Sequence, residues 1–278
     1  MAGSYEDRIL RVVKYIHDHP AGDLSLDRLA DVAAMSRFHW HRVFHAMMGE
    51  TCAEMVRRVR LHQAALRLVQ GTDPVAEIAI QVGYPTPQSF GRAFRAAYGL
   101  TPLAFRKQGV PLVALRQMKP EEFKVFDVKI EERGALRLAG WEHQGSYMGI
   151  GAKFEELAAL ATARGLWEKT CGMAGIYCGD PTEMPEEQLR SFAALILRDG
   201  QDLPEGLEER GYAAGRVAVL VFKGPYSNMA EAYQYLYGRW LPESGEEAAD
   251  AAPYEVYLNS PADTPAEELL TQLCVLLK

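Results

Sequence analysis

The fold of this chain is decided by residues 84–106, which read YPTPQSFGRAFRAAYGLTPLAFR. Phe90, Phe94 and Tyr98 recur every four residues, so they lie on one face of a helix and are candidates for its buried side. Gly99 is typical of the position just after a helix end, because glycine adopts the left-handed backbone conformation without strain. The segment therefore predicts a turn followed by a helix that ends near Gly99.

A shorter apolar pattern lies immediately upstream and predicts a short helix that begins after Pro74. Its apolar residues are Val75, Ile78, Ala79 and Val82. Two short helices joined by a tight turn with glycine form a helix-turn-helix, whose second helix can enter the major groove of DNA. Small helical bundles give the same pattern, so the functional interpretation depends on the polar side chains Gln88, Arg92 and Arg95.

These two helices carry a position-specific pattern. It reads I-A-x-x-V-G-Y over residues 78–84, Q-S-x-x-R-x-F-R over residues 88–95 and Y-G-x-T-P-x-x-F-R over residues 98–106. The pattern resembles the second helix-turn-helix unit of the AraC/XylS family of transcription regulators.

The preceding residues predict further helices and a second copy of the same unit. The predicted helices span residues 5–18, 26–34, 37–48 and 53–69, with Ser25 and Ser36 as N-caps. The patterns L-S-L-x-x-L-A-x-x-A over residues 24–33 and S-x-x-H-x-x-R-x-F over residues 36–44 resemble the first unit of the family. Arg42 and Arg92 hold the same place in the two units, 50 residues apart. The resemblance implies two recognition helices in successive major grooves.

The resemblance also implies which side chains contact bases. Carried over to this sequence, they are Phe38, His41, Arg42, Pro87, Gln88, Gly91 and Arg92. Arginine pairs with guanine, glutamine with adenine, and phenylalanine contacts the thymine methyl group. Pro87 and Gly91 carry no side-chain hydrogen-bond donor, so we expect fewer base contacts at these two positions. Arg57, Arg58 and Arg60 are candidates for phosphate contacts, with a solvated helix face as an equally good interpretation.

Three histidines, His39, His41 and His45, cluster in the first recognition segment. His41 and His45 share a helix face, but the sequence offers no third ligand or general base beside them. We therefore expect no metal site. The four cysteines, Cys52, Cys171, Cys178 and Cys274, form no C-x-x-C pair and predict reduced thiols without a cofactor.

Charge divides the chain of 278 residues, whose net charge is −7. Residues 1–109 contain 14 Lys and Arg against 10 Asp and Glu, a net of +4, and residues 110–278 contain 16 against 27, a net of −11. A basic half beside an acidic half favours a nucleic-acid-binding module joined to one that does not contact phosphate. We find no apolar run of membrane-spanning length and no signal-peptide pattern, so we expect a cytoplasmic protein.

The second half contains an internal repeat. Glu131-Glu-Arg-Gly134 recurs at residues 208–211, and matches at a constant offset of 80 pair Tyr177 with Tyr257, Pro181 with Pro261, Pro185 with Pro265, Glu187 with Glu267 and Leu197 with Leu277. Each copy predicts a strand–helix–strand–strand unit, with a cleft where two copies meet at a pseudo-twofold axis. The chain is thus predicted to be multidomain α and α+β. It has an all-helical domain over residues 1–108, a linker over residues 109–123 and a duplicated domain over residues 124–278.

Two segments of the duplicated half, W-L-P-x-S-G over residues 240–245 and A-P-Y-E-V-Y over residues 252–257, resemble the GyrI-like small-molecule-binding domain. That module is also attached to multidrug-sensing MerR-type regulators. The resemblance implies a ligand site that comprises Glu255 with Trp141, Tyr147, Tyr177, Phe222, Trp240 and Tyr257. A buried carboxylate among aromatic rings favours an organic cation. The alternative is an exposed glutamate on an edge strand beside ordinary core aromatics.

We interpret the sequence as a transcription regulator that binds duplex DNA and senses a small hydrophobic or cationic molecule. Contact with RNA polymerase is a further expectation, and the chain is expected to be a monomer or a homodimer without membrane partners. Two alternatives remain open. In the first, the second half is a GyrI-like hydrolase of small molecules, although no catalytic Ser/His/Asp or Cys/His set stands out. In the second, it binds a protein partner.

Overall fold

The computed structural model describes residues 4–109, 124–181 and 183–278. The described residues form two compact units. The helical unit comprises residues 4–35 and 48–109, and the sheet unit comprises residues 36–47 and 124–278. The sequence prediction had assigned residues 36–47 to the first domain, whereas the structure groups them with the sheet. Nearly all of the predicted linker lies outside the described residues.

The N-terminal part of the chain is helical throughout. Its helices are α1 (Tyr5–Asp18), α2 (Leu26–Ala33), α3 (Trp40–Met48), α4 (Cys52–Gln70), α5 (Val75–Gln81), α6 (Pro87–Tyr98) and α7 (Pro102–Gln108). The predicted limits agree closely with this except at α3, which begins at Trp40 and not at residue 37. The Ser36 hydroxyl accepts a hydrogen bond from the backbone N–H of Phe38, and this local turn delays the helix.

Caps fix the ends of the helices that matter most for the helical unit. Thr86 caps α6 by accepting the N–H of Ser89, and Gly99 ends it with a φ of 73°. Phe90 and Phe94 are completely buried, together with Phe105 of α7. The apolar stripe is therefore core, as expected, and it orients the opposite face of α6 to solvent.

The sheet unit is built on an eight-stranded antiparallel sheet in the order β1-β6-β8-β7-β3-β4-β2-β5. The strands are β1 (Val128–Arg133), β2 (Leu136–Gln144), β3 (Thr170–Cys178), β4 (Arg190–Leu197), β5 (Glu208–Tyr212), β6 (Gly215–Lys223), β7 (Tyr254–Tyr257) and β8 (Leu270–Leu276). Their sequence order gives two copies of a strand–strand–helix–strand–strand unit. The first strand of each copy pairs with the other copy, because β1 pairs with β6 and β5 pairs with β2.

The two copies meet at β3 and β7, where Gly175 lies opposite Glu255. These two residues are 80 positions apart, so each is the repeat mate of the other. The pseudo-twofold axis expected from the repeat therefore passes through this pair.

Helices cover the sheet where the site forms. In the first copy α8 (Gly151–Ala163) packs on β2 and β4, with Leu157 and Ala161 completely buried. In the second copy α9 (Met229–Tyr235) continues through a π-helical turn, Leu236–Trp240, into α10 (Leu241–Ser244). The repeat predicts one helix in this copy. The π turn and the extra helix were not predicted, because no residue pattern marks a change in helical hydrogen bonding.

Candidate functional site

Glu255 is at the centre of the sheet unit, and only 3% of its surface is exposed. It lies on β7, between β8 and β3, so the alternative of an exposed glutamate on an edge strand is wrong. Its neighbour across the strand pair is Gly175, where an added Cβ would come within 2.9 Å of the side chains of Tyr177 and Tyr257. Glycine at this position therefore leaves the space that the two tyrosine rings occupy.

Two phenols hold the Glu255 carboxylate. The hydroxyl of Tyr233 donates to Oε1 over 2.8 Å, and the hydroxyl of Tyr257 donates to Oε2 over 2.9 Å. The hydroxyl of Tyr177 lies 2.7 Å from that of Tyr257. Because each phenol has one proton, Tyr177 donates in this pair while Tyr257 donates to the carboxylate.

Burial raises the pKa of Glu255 to about 7, against the opposing effects of the two phenol hydrogen bonds and the positive charge of Arg42. Burial also raises the pKa values of Tyr177, Tyr233 and Tyr257 well above the ordinary tyrosine value, and the Glu255 charge adds to this. The phenols therefore stay protonated donors, while the carboxyl can change its charge near neutral pH.

An aromatic cage surrounds this carboxyl, and its members are Tyr147, Phe154, Tyr177, Tyr226, Tyr233 and Tyr257. The Tyr147 and Tyr177 rings meet edge to face at 4.9 Å, and the Tyr226 and Tyr257 rings meet in the same way at 5.6 Å. Phe154 packs edge to face on Tyr257 at 5.1 Å. All members except Tyr177 keep part of their surface exposed.

The cage has the symmetry of the repeat and breaks it at the carboxyl. Tyr147 corresponds to Tyr226 and Phe154 to Tyr233 at an offset of 79, and Tyr177 corresponds to Tyr257 at an offset of 80. In the pair Phe154 and Tyr233, only Tyr233 has a hydroxyl, and this hydroxyl donates to Glu255. The residue that corresponds to Glu255 in the first copy is Gly175. The asymmetry gives one polar pole to an otherwise symmetric aromatic site.

The structure brings some of the predicted ligand-site residues together and separates others. Tyr147, Tyr177 and Tyr257 are in the cage with Glu255. Trp141 instead donates its indole N–H to the carbonyl of Gly206. Phe222 packs against Phe126, and Trp240 belongs to the π-helical turn. The assignment of all seven residues to a ligand site stays a prediction.

The sequence analysis missed Phe154, Tyr226 and Tyr233. The repeat contained the signal for all three, because Tyr226 is the mate of the predicted Tyr147. The same offset applied to the following helices pairs Phe154 with Tyr233.

The sheet unit also includes residues 36–47, which contain three of the predicted DNA contacts. Arg42 donates from Nη2 to the carbonyl of Gly179 over 2.8 Å, and its guanidinium carbon lies 5.0 Å from the ring centroid of Tyr233. His41 is 4% exposed, with Nε2 3.9 Å from the Asp180 carboxylate. In this arrangement the side chains of His41 and Arg42 are directed into the sheet unit.

Other contacts hold the same segment. Nδ1 of His39 lies 2.9 Å from the hydroxyl of Tyr237, and the two rings stack at 5.5 Å. The hydroxyl of Ser36 donates to the Asp250 carboxylate over 2.9 Å. Burial, with the nearby Arg42 charge, lowers the pKa of His39 to about 3, so this imidazole is neutral at physiological pH. Phe38 is half-buried beneath the guanidinium of Arg37.

The second recognition helix, α6, presents its predicted contacts differently. Pro87, Gln88 and Arg92 are exposed, and an added Cβ at Gly91 would meet no atom within 4 Å. This face of the helical unit is open to a duplex. The assignment of individual base contacts in both recognition helices stays a prediction.

Of the predicted phosphate contacts, two are engaged within the helical unit. Arg60 donates to the carbonyl of Pro20 over 2.7 Å, and Arg58 pairs with Glu50. Arg57 is exposed and remains available for a phosphate. The described residues contain no group of three His, Cys, Asp or Glu side chains arranged to hold a metal ion. Within the same residues we find no helix that is long and apolar enough to span a membrane.

Comparison with known proteins shows which domain families this chain matches. A model described as the GyrI-like small molecule binding domain matches residues 126–278, and a helix-turn-helix domain model matches residues 29–108. The HTH-type transcriptional regulator MtrA of Neisseria gonorrhoeae is 30% identical over 109 residues, which cover 39% of this chain and 36% of MtrA. The regulatory protein SoxS of Salmonella typhimurium is 30% identical over 103 residues, which cover 37% of this chain and 96% of SoxS.

The solved structure of the EcmrR C-terminal domain matches 56% of this chain and 99% of that domain, with 14% identity and a TM-score of 0.42. Several other curated relatives are longer than the matched part: the chain spans less than half of their length, including 36% of MtrA and 46% of the transcriptional activator and DNA repair enzyme AdaA of Bacillus subtilis.

Proposed function

Because the chain belongs to the AraC/XylS family of transcription regulators and carries a GyrI-like small-molecule-binding domain, we propose that it binds DNA and senses a small organic cation. The DNA partner is duplex DNA, read by the exposed face of α6 and by the segment that contains Arg42. The cation binds in the aromatic cage beside Glu255. RNA polymerase as a partner, the oligomeric state and a cytoplasmic location stay predictions.

The observation that carries the cation proposal is the environment of Glu255. Phenols donate to both carboxylate oxygens, and among the described residues no arginine or lysine nitrogen lies within 4.0 Å of them. A buried carboxylate is expensive unless a positive charge is paired with it. Aromatic faces attract cations through the quadrupole of the ring, and the cage supplies such faces next to the carboxylate. A cation with an apolar body therefore satisfies both features of the site.

The experiment that tests this proposal compares two ligands of the same shape. Phenyltrimethylammonium carries a permanent positive charge, and tert-butylbenzene is its neutral counterpart. We expect phenyltrimethylammonium to raise the unfolding temperature of the full chain, because a ligand that binds only the folded state stabilises it by mass action. Equal stabilisation by both ligands would show a merely hydrophobic site, and no stabilisation by any cation of a wider aromatic ammonium panel would contradict the proposal.

The DNA half of the proposal is tested separately. The full chain is used to select duplexes from a random-sequence pool, and binding to the selected duplex is measured by fluorescence anisotropy at several salt concentrations. We expect a preferred sequence and an affinity that falls as salt rises, because phosphate contacts release counterions. No enrichment of any sequence would refute sequence-specific binding. Chemical change of a small-molecule ligand incubated with the full chain would favour the hydrolase alternative.

A further inference from the structure

One of the contacts that dock residues 36–47 in the sheet unit involves a positive charge. The guanidinium of Arg42 lies over the rings of Tyr233 and Tyr237, with distances of 5.0 and 5.6 Å to the ring centroids. The hydroxyl of the same Tyr233 donates to Glu255. Arg42 therefore presents to the aromatic cage part of the chemistry that the proposed effector would present: a delocalised cation on the ring of a phenol that donates to a carboxylate.

The docked Arg42 is incompletely satisfied. Nη2 has the carbonyl of Gly179, but Nε is buried without a hydrogen-bond partner among the described residues. No carboxylate oxygen of the described residues lies within 4.0 Å of this guanidinium. A buried cation with few hydrogen bonds is held less firmly than one paired to a carboxylate. Another cation that reaches Glu255 more closely can therefore replace it on the Tyr233 ring.

We infer that residues 36–47 are an internal competitor of the effector: Arg42 binds at the edge of the cage in the free protein, and an organic cation at Glu255 displaces it. While the segment is docked, Arg42 and His41 cannot contact a base. Displacement frees them, so effector binding raises DNA affinity. This inference rests on the proposed function, because it uses the same Glu255 site and the same DNA-reading segment.

The competition has a thermodynamic consequence in both directions. The docked state binds neither DNA through Arg42 nor the cation at its full affinity, so docking lowers both apparent affinities by the fraction of undocked protein. Effector and DNA must then raise each other's affinity by the same factor. A ligand that left the docking equilibrium unchanged would not change the affinity for DNA.

The test uses substitutions on the sheet side that weaken docking and leave Glu255 and the DNA-reading side chains themselves unchanged. Tyr237→Phe removes the hydrogen bond to His39 but keeps the stacked ring, and Asp250→Ala removes the hydrogen bond to Ser36. Asp263→Ala, in an exposed loop, is the matched control. Each loss of a hydrogen bond should shift the docking equilibrium about 3- to 10-fold.

Two readouts are measured in the full chain: amide hydrogen exchange of residues 36–47 and the Kd for the selected duplex. Phenyltrimethylammonium should speed exchange and tighten DNA binding in the wild type. Tyr237→Phe and Asp250→Ala should do both without ligand, each by about 3- to 10-fold, while Asp263→Ala does neither. Glu255→Gln should abolish the ligand effect but leave the effect of Tyr237→Phe intact.

The outcomes separate the inference from the proposed function. If no cation binds but Tyr237→Phe still speeds amide hydrogen exchange and tightens DNA binding, the ligand proposal fails, while the conclusion that docking inhibits DNA binding remains. If the cation binds through Glu255 and exchange of residues 36–47 is unchanged or slower, competition with Arg42 is refuted. The inference is equally refuted if neither docking variant changes the DNA affinity.

Discussion

Replacing Glu255 with glutamine should remove the preference of the site for cations while keeping its shape. Opposite unit charges about 4 Å apart attract by about 4 kcal/mol at an effective dielectric constant of about 20. The glutamine carbonyl retains part of this attraction as a dipole and still accepts the proton of Tyr233. We therefore expect the Glu255→Gln variant to bind phenyltrimethylammonium more weakly by about 2–3 kcal/mol, a loss of roughly 30- to 150-fold in Kd.

The assay is isothermal titration calorimetry at pH 8, where a carboxyl with a pKa of about 7 is mostly ionised. Binding of tert-butylbenzene should change less than about 2-fold, because the apolar walls of the cage are unaltered. Glu243→Gln is the matched control, since Glu243 is a carboxylate of the same unit that pairs with Arg239 at the surface. An equal loss for both ligands would refute the reasoning, because it would mean that the substitution damages the cage and not its charge.

Three further predictions follow from particular contacts. Burial raises the pKa of Glu255 from 4.5 to about 7, so the stability that its protonated carboxyl contributes is complete below pH 4.5 and is lost as pH rises through 7. Urea titrations should therefore show the free energy of unfolding of the wild type falling by about 3 kcal/mol over this window relative to Glu255→Gln. Parallel curves of stability against pH for the two proteins would contradict this prediction. Gly175→Ala places a Cβ within 2.9 Å of Tyr177 and Tyr257 and should destabilise by about 1–3 kcal/mol, whereas Gly91→Ala, in open space on α6, should not destabilise. Arg92→Ala should weaken binding to the selected duplex by about 1–3 kcal/mol and leave the stability of the protein unchanged. Arg57→Ala should weaken binding to all duplexes alike and lower the slope of affinity against salt concentration by about 1. A folding defect in Arg92→Ala would refute the assignment of Arg92 to a base contact.

The helical unit was predictable from the sequence because its signals are local. Thr86, Pro87 and Gly99 mark the ends of α6, and the four-residue recurrence of Phe90 and Phe94 marks its buried face. These rules act over one or two helical turns, so a single sequence contains them in full. The start of α3 was wrong by three residues because the Ser36 side chain closes a turn instead of capping a helix directly.

The aromatic cage was predicted only in part because it is formed across the pseudo-twofold axis. The repeat offset of 80 pairs Glu255 with Gly175, and the structure places this asymmetric pair at the centre of the sheet unit. Phe154 and Tyr233 escaped notice because the sequence does not show which face of a covered helix points to the axis. The offset of 79 that relates Tyr147 to Tyr226 also pairs Phe154 with Tyr233 and would have found them.

The docking of Arg42 had no signal in the sequence at all. A recognition-helix arginine looks the same whether its partner is guanine or a tyrosine ring, because both offer electron density to a planar cation. Only the long-range contacts with Gly179, Tyr233 and Tyr237 distinguish the two. Such contacts depend on how distant segments meet, and local patterns do not encode that.

A crystal structure of the full chain with bound phenyltrimethylammonium would show whether the cation takes the place of Arg42. We expect the ammonium group within about 6 Å of the Tyr233 ring centroid and next to the Glu255 carboxylate, with the Arg42 guanidinium no longer over that ring. An ammonium group bound away from Glu255, or a guanidinium still seated on Tyr233 beside the occupied site, would contradict it.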